Sequence, residues 1–222
     1  FTYISGSYTF NDTRRIGAYI QQEVPNVVSG DTLLVNQGTY VEMVDLDRTM
    51  LLLGEDGAAL TTIQAPSTLP VASNIDSNVV DIFTAATSVE VTGFTIAGPG
   101  PTGCGSIGRG IYVRGGADAH IHHNVIRDIR DNPISGCQNG VAIQVGRAAD
   151  STNGTANIHD NEIYAYQKNG VTVSNSASSA TISNNIVTGA GAVSFIAQNG
   201  VQVSGGASAT ISGNTINGHS YT

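Results

Sequence analysis

From Gly110 onward, apolar residues fall at alternate positions in short runs, and the runs return at a fixed interval. Ile111 and Val113 flank Tyr112, Val171 and Val173 flank Thr172, and Val201 and Val203 flank Gln202. Val141-Ala142-Ile143-Gln144-Val145 has the same period of two. Each run follows a glycine, and Gly110, Gly140, Gly170 and Gly200 are spaced by 30 residues. Strict alternation predicts short strands with one face buried and the other in water. A second phrase then recurs: Ala119-His120-Ile121-His122-His123-Asn124-Val125-Ile126, and its counterparts Ala156 to Ile163, Ala180 to Val187 and Ala209 to Ile216. The Gly140 repeat reaches its copy later, so it carries an insertion.

A period of this length, built of short strands, predicts one solenoid coil per repeat. Each strand then pairs with its equivalent one coil away, at about 4.8 Å, and like residues stack over like. Three inward columns are expected: Val113, Val145 or Ile143, Val173 and Val203; Ile121, Ile158, Ile182 and Ile211; and Ile126, Ile163, Val187 and Ile216. Asn124, Asn161, Asn185 and Asn214 recur at one corner, where an amide can bond to its copies above and below. The Asn-Gly steps predict another corner with left-handed backbone. Two outward rows follow from the same alignment: Asp81, Tyr112, Ala142, Thr172 and Gln202, then Phe83, Arg114, Gln144, Ser174 and Ser204.

Ahead of the repeats, residues 1–29 read as an N-terminal arm and a cap. Phe1 to Phe10 is β-prone. Asn11-Asp12-Thr13 offers an N-cap for a helix from about Arg14 to Glu23, which Pro25 ends. A solenoid needs its first coil covered, and the helix is assigned to that task. Residues 30–222 form the solenoid. Its first coil is expected to run from Gly30 through Glu42, Met50 to Gly54 and Thr61 to Gln64; the second takes Val79 to Ile82 and Val89 to Ile96, with Phe94 in the place later taken by the asparagines. After Asn217 no amphipathic or charged segment closes the far end, so the chain is expected to continue or to meet another molecule there.

These phrases resemble the right-handed parallel β-helix superfamily, which includes pectate lyases, mannuronan epimerases and copper-insertion accessory proteins. The resemblance covers roughly residues 30–222 and implies an all-β, right-handed parallel β-helix of about six coils with a short N-terminal capping helix. Gly38-Thr39-Tyr40-Val41-Glu42 also resembles a Gly-x-Tyr-x-Glu phrase of pectin methylesterases, but their catalytic Gln-Asp-Thr and Asp-Phe-Ile-Phe-Gly segments are missing. Polysaccharide-acting relatives often use the outward rows, walled by loops. On that resemblance Tyr112, Arg114, Arg130, Asp131 and Lys168 are the candidates for moving a proton and neutralising a uronate carboxylate. The Asp-Pro-His signature of the epimerases is absent; Asp131-Asn132-Pro133 is the nearest stretch.

Composition narrows the partners. Net charge is −8, and Lys168 is the single lysine, which argues against nucleic acid and against anionic membrane surfaces. No apolar run approaches the ~20 residues of a membrane span. Cys104 and Cys137 stand in equivalent connecting segments of neighbouring coils, so a disulfide and an oxidising compartment are expected. His122 and His159 align in adjacent coils and are candidates to share a transition metal; calcium is the other candidate ion, and no cofactor is required. Arg127, Asp128, Arg130 and Asp131 read as exposed ion pairs. The leading expectation is a secreted or cell-surface solenoid: a structural, adhesive or carbohydrate-contacting module whose partners are polysaccharide or other copies of itself, as an oligomer or filament. The alternative is a lyase or epimerase acting on a uronate-containing polymer.

Overall fold

The computed structural model describes residues 2–4, 7–10, 19–69, 77–84 and 88–222. Alternating apolar positions are satisfied by parallel pairing between successive coils. Each complete coil lays one strand in each of three sheets, of nine, seven and six strands. Six complete coils begin at Thr32–Val35, Met50–Gly54, Ser88–Thr92, Asp118–His122, Thr155–His159 and Ser179–Ser183. Two last strands, Ser208–Ser212 and Thr215–Tyr221, extend the first and second sheets.

The expected columns stack as drawn from the sequence. Ile121, Ile158, Ile182 and Ile211 pair in register, as do Ile126, Ile163, Val187 and Ile216. Val113 stacks on Val145, Val173 and Val203, and Ile111 on Ile143, Val171 and Val201. Both of the latter are core columns in the middle of the solenoid, where Ile111, Val113, Ile143, Val145, Val171 and Val173 are fully buried. At the last coil the cover runs out, and Ile211 and Ile216 are 47% and 44% exposed.

The asparagine corner is a continuous ladder. Asn124 Nδ2 donates to Asn161 Oδ1 at 3.2 Å, Asn161 Nδ2 to Asn185 Oδ1 at 2.9 Å, and Asn185 Nδ2 to Asn214 Oδ1 at 2.9 Å. Each oxygen also accepts the backbone N–H of the residue one coil below, down to Phe94, whose N–H meets Asn124 Oδ1 at 3.1 Å. Buried polar groups are tolerated here because each has its partner.

Three expectations are corrected. Coil lengths are unequal, so the apparent 30-residue period misplaces one coil. Arg109, Val141, Asn169 and Asn199 pair in register, giving spacings of 141−109 = 32, 169−141 = 28 and 199−169 = 30. Gly110 therefore lies level with Ala142, not Gly140. Gln144 replaces Ala142 in the Tyr112 row, and Gly146 replaces Gln144 in the Arg114 row. Of the three Asn-Gly steps at the 30-residue marks, Gly140 alone has left-handed backbone, with φ +74°; Gly170 and Gly200 lie inside strands Asn169–Ser174 and Asn199–Ser204. They are glycine because space is short: a Cβ on Gly170 would come within 2.5 Å of Val187 Cγ1.

The second correction concerns the early coils. Met50–Gly54 opens a new coil, since Leu51 pairs with Thr32, only 51−32 = 19 residues away. The first coil has strands Thr32–Val35, Gly38–Val41 and Val44–Leu46 with no long loop, so two coils fit where the sequence reading had one. Val79 to Ile82 then closes the second coil, and Val89 belongs to the third.

The third concerns the cap. Tyr19 is extended (φ −127°), and the helix begins at Ile20, running to Glu23 before a 3-10 turn at Val24–Asn26. The proposed N-cap, Asn11 to Thr13, and Arg14 lie outside the described residues. The Glu42 carboxylate supplies the cap instead, accepting the Ile20 and Gln21 N–H groups at 2.8 and 2.9 Å. Ile20 and Val24 are buried over the first coil, which is the covering task expected of this segment. The arm's strand Ser7–Phe10 pairs in parallel with Thr32–Val35 of its own chain, and Thr2–Ile4 folds back on it.

Candidate functional site

The outer face of the third sheet carries rows set by pairing. Asn78, Arg109, Val141, Asn169 and Asn199 form one; Asp45, Asp81, Tyr112, Gln144, Thr172 and Gln202 form the next. The insertion after Gly146 folds back over these rows. Gly146 (φ +57°) starts the departure, Ala148–Asp150 make a 3-10 turn, and Arg147 bridges back to Thr152.

Asp150 is the contact between insertion and sheet. Its Oδ2 accepts the Tyr112 hydroxyl at 3.1 Å and lies 3.9 Å from Arg109 Nη2, while Arg147 ion-pairs with its other oxygen. The Arg109 guanidinium stacks over the Tyr112 ring at 4.4 Å. Arg109 is only 4% exposed, its Nε has no hydrogen-bond partner, and its Nη1 reaches Asn78 Oδ1 only at 3.5 Å. It is a weakly satisfied buried cation, and burial pulls its pKa below the ordinary arginine value. On the other side, Arg114 holds both oxygens of Asp81, with Nη2 to Oδ2 at 2.8 Å. Burial still pushes Asp81 above the usual carboxylate range, with Arg114 offsetting part of the rise.

Beside this cluster runs an open groove of about 450 Å³. Arg109, Arg147 and Lys168 line it, with Gln138, Asn139, Gln144, Asn169, Thr172, Ser174, Gln202 and Ser204. No carboxylate is among the described residues that line it.

Residues 72–216 match the family model for the right handed beta helix region. The chain belongs to that family. A comparison with curated protein sequences finds no match. Among solved structures, the β-helix is similar to the pectin methylesterase from Aspergillus niger in deglycosylated form, at 15% identity and TM-score 0.55, covering 91% of this chain and 68% of that one. It is also similar to pectin methylesterase from carrot, at 12% identity and TM-score 0.52, covering 92% and 63%. The chain thus spans about two thirds of those proteins' length, and at such identities the likeness is one of fold.

Within this β-helix the sequence candidates separate. Tyr112 and Arg114 sit together on the sheet face, but each is already engaged. The Tyr112 side chain is fully buried, and burial raises its phenol pKa well above the ordinary value. Lys168 is on the groove wall, with Nζ donating to the Ala197 carbonyl at 2.7 Å.

Arg130 and Asp131 lie away from the groove lining. Asp131 was read as an exposed ion-pair partner; it is 1% exposed and forms the hub of a loop network. It accepts from Ser135 Oγ at 2.6 Å, Gln167 Nε2 at 3.0 Å, Asn139 Nδ2 at 3.1 Å and Ser106 Oγ at 3.2 Å. Arg130 pairs with Asp128, as does Arg127. The Cys104–Cys137 disulfide joins the same two loops, with Cα atoms 5.7 Å apart. The sequence reading missed Arg147 and Asp150 as groove and contact residues, with the insertion after Gly146 as their one signal; it had Gln144 on this face, one row away from its place beside Tyr112. Gly38-Thr39-Tyr40-Val41-Glu42 is structural: Glu42 caps the helix and Tyr40 donates to the Asn36 carbonyl at 3.0 Å.

His122 and His159 pair in register on the first sheet, with their rings stacked at 4.9 Å. His120 and His123 stand beside them.

Proposed function

We propose that this β-helix is a carbohydrate-contacting module that binds a uronate-containing polysaccharide along the outer face of its third sheet. One observation carries the reading. In a chain of net charge −8, the groove gathers three of its nine lysine and arginine residues and excludes carboxylates from its described lining. Amides and hydroxyls at Gln144, Asn169, Thr172 and Gln202 offer donors and acceptors to sugar hydroxyls, and Lys168, with the guanidinium donors of Arg147 beyond the Nη1 that holds Asp150, supplies positive charge to uronate carboxylates. Repetition of the rows along the solenoid suits a repeating ligand.

Binding is favoured over elimination or epimerisation. The Tyr112 hydroxyl is committed to Asp150 and Arg114 to Asp81, so neither stands ready to exchange a proton with a substrate. Pectin methylesterases share the fold and act on a related polymer, which adds a weak fold-level analogy. The disulfide fits an extracellular or cell-surface setting.

Titration calorimetry with oligogalacturonate and with its fully methyl-esterified form tests the reading. Binding is expected for the charged oligomer, weakening as salt rises, and falling about tenfold or more in the Arg147→Ala, Lys168→Ala double variant. Equal binding of charged and esterified oligomers, or none of either, overturns it. Release of unsaturated products would move the assignment to a lyase.

A further inference from the structure

Three of the five histidines, His120, His122 and His159, stand on the outer face of the first sheet away from the groove, and His123 follows in the adjoining turn. Strand pairing sets Glu90 beside His120, and Thr92 beside His122, which in turn pairs with His159. Alternation sends Glu90, His120, His122 and His159 out of the same face on three successive strands.

The donor atoms converge. His120 Nε2 lies 2.6 Å from His159 Nε2, and His122 Nε2 lies 2.9 Å from Glu90 Oε1. One ligand atom each from Glu90, His120 and His122 lie within 4.8 Å of one another. The far sides of two rings are held. His159 Nδ1 is 2.7 Å from Asp160 Oδ2, which fixes the proton there and leaves the Nε2 lone pair facing His120. His122 Nδ1 is bonded to His123 Nδ1 at 2.7 Å and approached by Thr92 Oγ1 at 3.3 Å, so its Nε2 is the nitrogen turned into the cluster, where it meets Glu90. Two Nε2 atoms as close as those of His120 and His159 cannot both carry a proton, so at least one lone pair faces the neighbouring ring.

We propose that Glu90, His120, His122 and His159 form a binding site for a divalent late transition-metal ion, Zn²⁺ or Cu²⁺, clamping three neighbouring coils together. Three imidazoles and one carboxylate are the donor set such ions prefer over calcium or magnesium. Nitrogen ligands at about 2.0–2.1 Å from a tetrahedral ion stand about 3.3 Å apart, so the His120 and His159 Nε2 atoms move slightly apart and His159, now stacked parallel to His122, turns toward the Glu90, His120 and His122 group when the ion binds. The side chains are open enough to admit an ion, at 15% exposed for His122, 22% for His159 and 40% for Glu90. Because its ligands come from three coils, the ion is a cross-link, and its binding free energy adds to the stability of the stack.

Isothermal titration of the untagged chain with ZnCl₂, and Cu²⁺ electron paramagnetic resonance, test the site. One ion per chain is expected, with a spectrum showing coupling to several nitrogens and a thermal midpoint that rises with metal. His120→Ala with His122→Ala should weaken binding at least 100-fold and abolish the thermal rise, Glu90→Gln should weaken it about tenfold, and His219→Ala should leave it within twofold. Circular dichroism of each metal-free variant checks that the β-helix is intact. Several weak ions per chain, or equal losses in the double variant and in His219→Ala, overturn the proposal.

Discussion

Replacing Asn161 by alanine removes the centre of the asparagine ladder. Its Oδ1 accepts the Asn124 backbone N–H at 3.1 Å and Asn124 Nδ2 at 3.2 Å. Its Nδ2 donates to the Ile121 carbonyl at 2.9 Å, the His159 carbonyl at 2.9 Å and Asn185 Oδ1 at 2.9 Å. Asn161 is 2% exposed, so water does not take its place. An orphaned buried N–H costs about 1–3 kcal/mol, and each lost net hydrogen bond about 0.5–1.5 kcal/mol. Partial compensation of the carbonyls brings the expected loss to about 3–5 kcal/mol. Asn214→Ala makes the comparison, because its Oδ1 likewise accepts the Asn185 N–H and Nδ2 but its side chain is partly exposed, so water can replace it. There the loss should be smaller, about 1–2 kcal/mol. Urea unfolding followed by near-ultraviolet circular dichroism gives both values, and hydrogen exchange at the Asn124 amide reports the local break. If Asn161→Ala unfolds no more easily than Asn214→Ala, the ladder is not what holds this corner.

Opening the Cys104–Cys137 bridge, by reduction or by Cys104→Ser with Cys137→Ser, frees a loop of sequence separation 33 and should lower stability by about 3–4 kcal/mol, read as a fall in urea midpoint. No change in midpoint would mean that the two loops are held without it. For Asp131, burial alone would raise the carboxyl, but hydrogen bonds from Ser135, Gln167, Asn139 and Ser106 outweigh it and hold the folded-state pKa below the ordinary value. Its stabilisation is therefore fully present above about pH 4 and is lost as pH falls through the lowered folded value. The stability gap between the parent chain and Asp131→Asn should shrink steadily below pH 4, and a gap that stays constant down to pH 2 would refute the network's charge dependence.

How much of this was legible depends on which physical constraint wrote each residue. Strand columns are written by the core, which demands an apolar residue at every second position, so Ile121, Ile158, Ile182 and Ile211 announce their own pairing. The ladder is equally visible, because a buried amide is acceptable only where its copies stack. Register between coils is written less strongly. Gly140 sits at the 30-residue mark but belongs to the turn, while Ala142 fills the strand position of Gly110 and Gly170. Both a tight turn and a crowded strand ask for a small residue, so glycine alone cannot say which need it serves.

The groove was harder still, since its rows are set by that register and its wall by an insertion. A two-residue slip moves Gln144 from one row to the next and changes which side chains meet a ligand. Asp131 shows the same limit in reverse. Its neighbours Arg127, Asp128 and Arg130 are a charged run that reads as surface, yet its own partners come from Ser106, Asn139 and Gln167, 25, 8 and 36 residues away. Such a hub has no local signature, because the solenoid assembles it from three different coil connections. Where a constraint repeats once per coil the sequence declares it; where it is met once, by loops, only the folded chain brings the partners together.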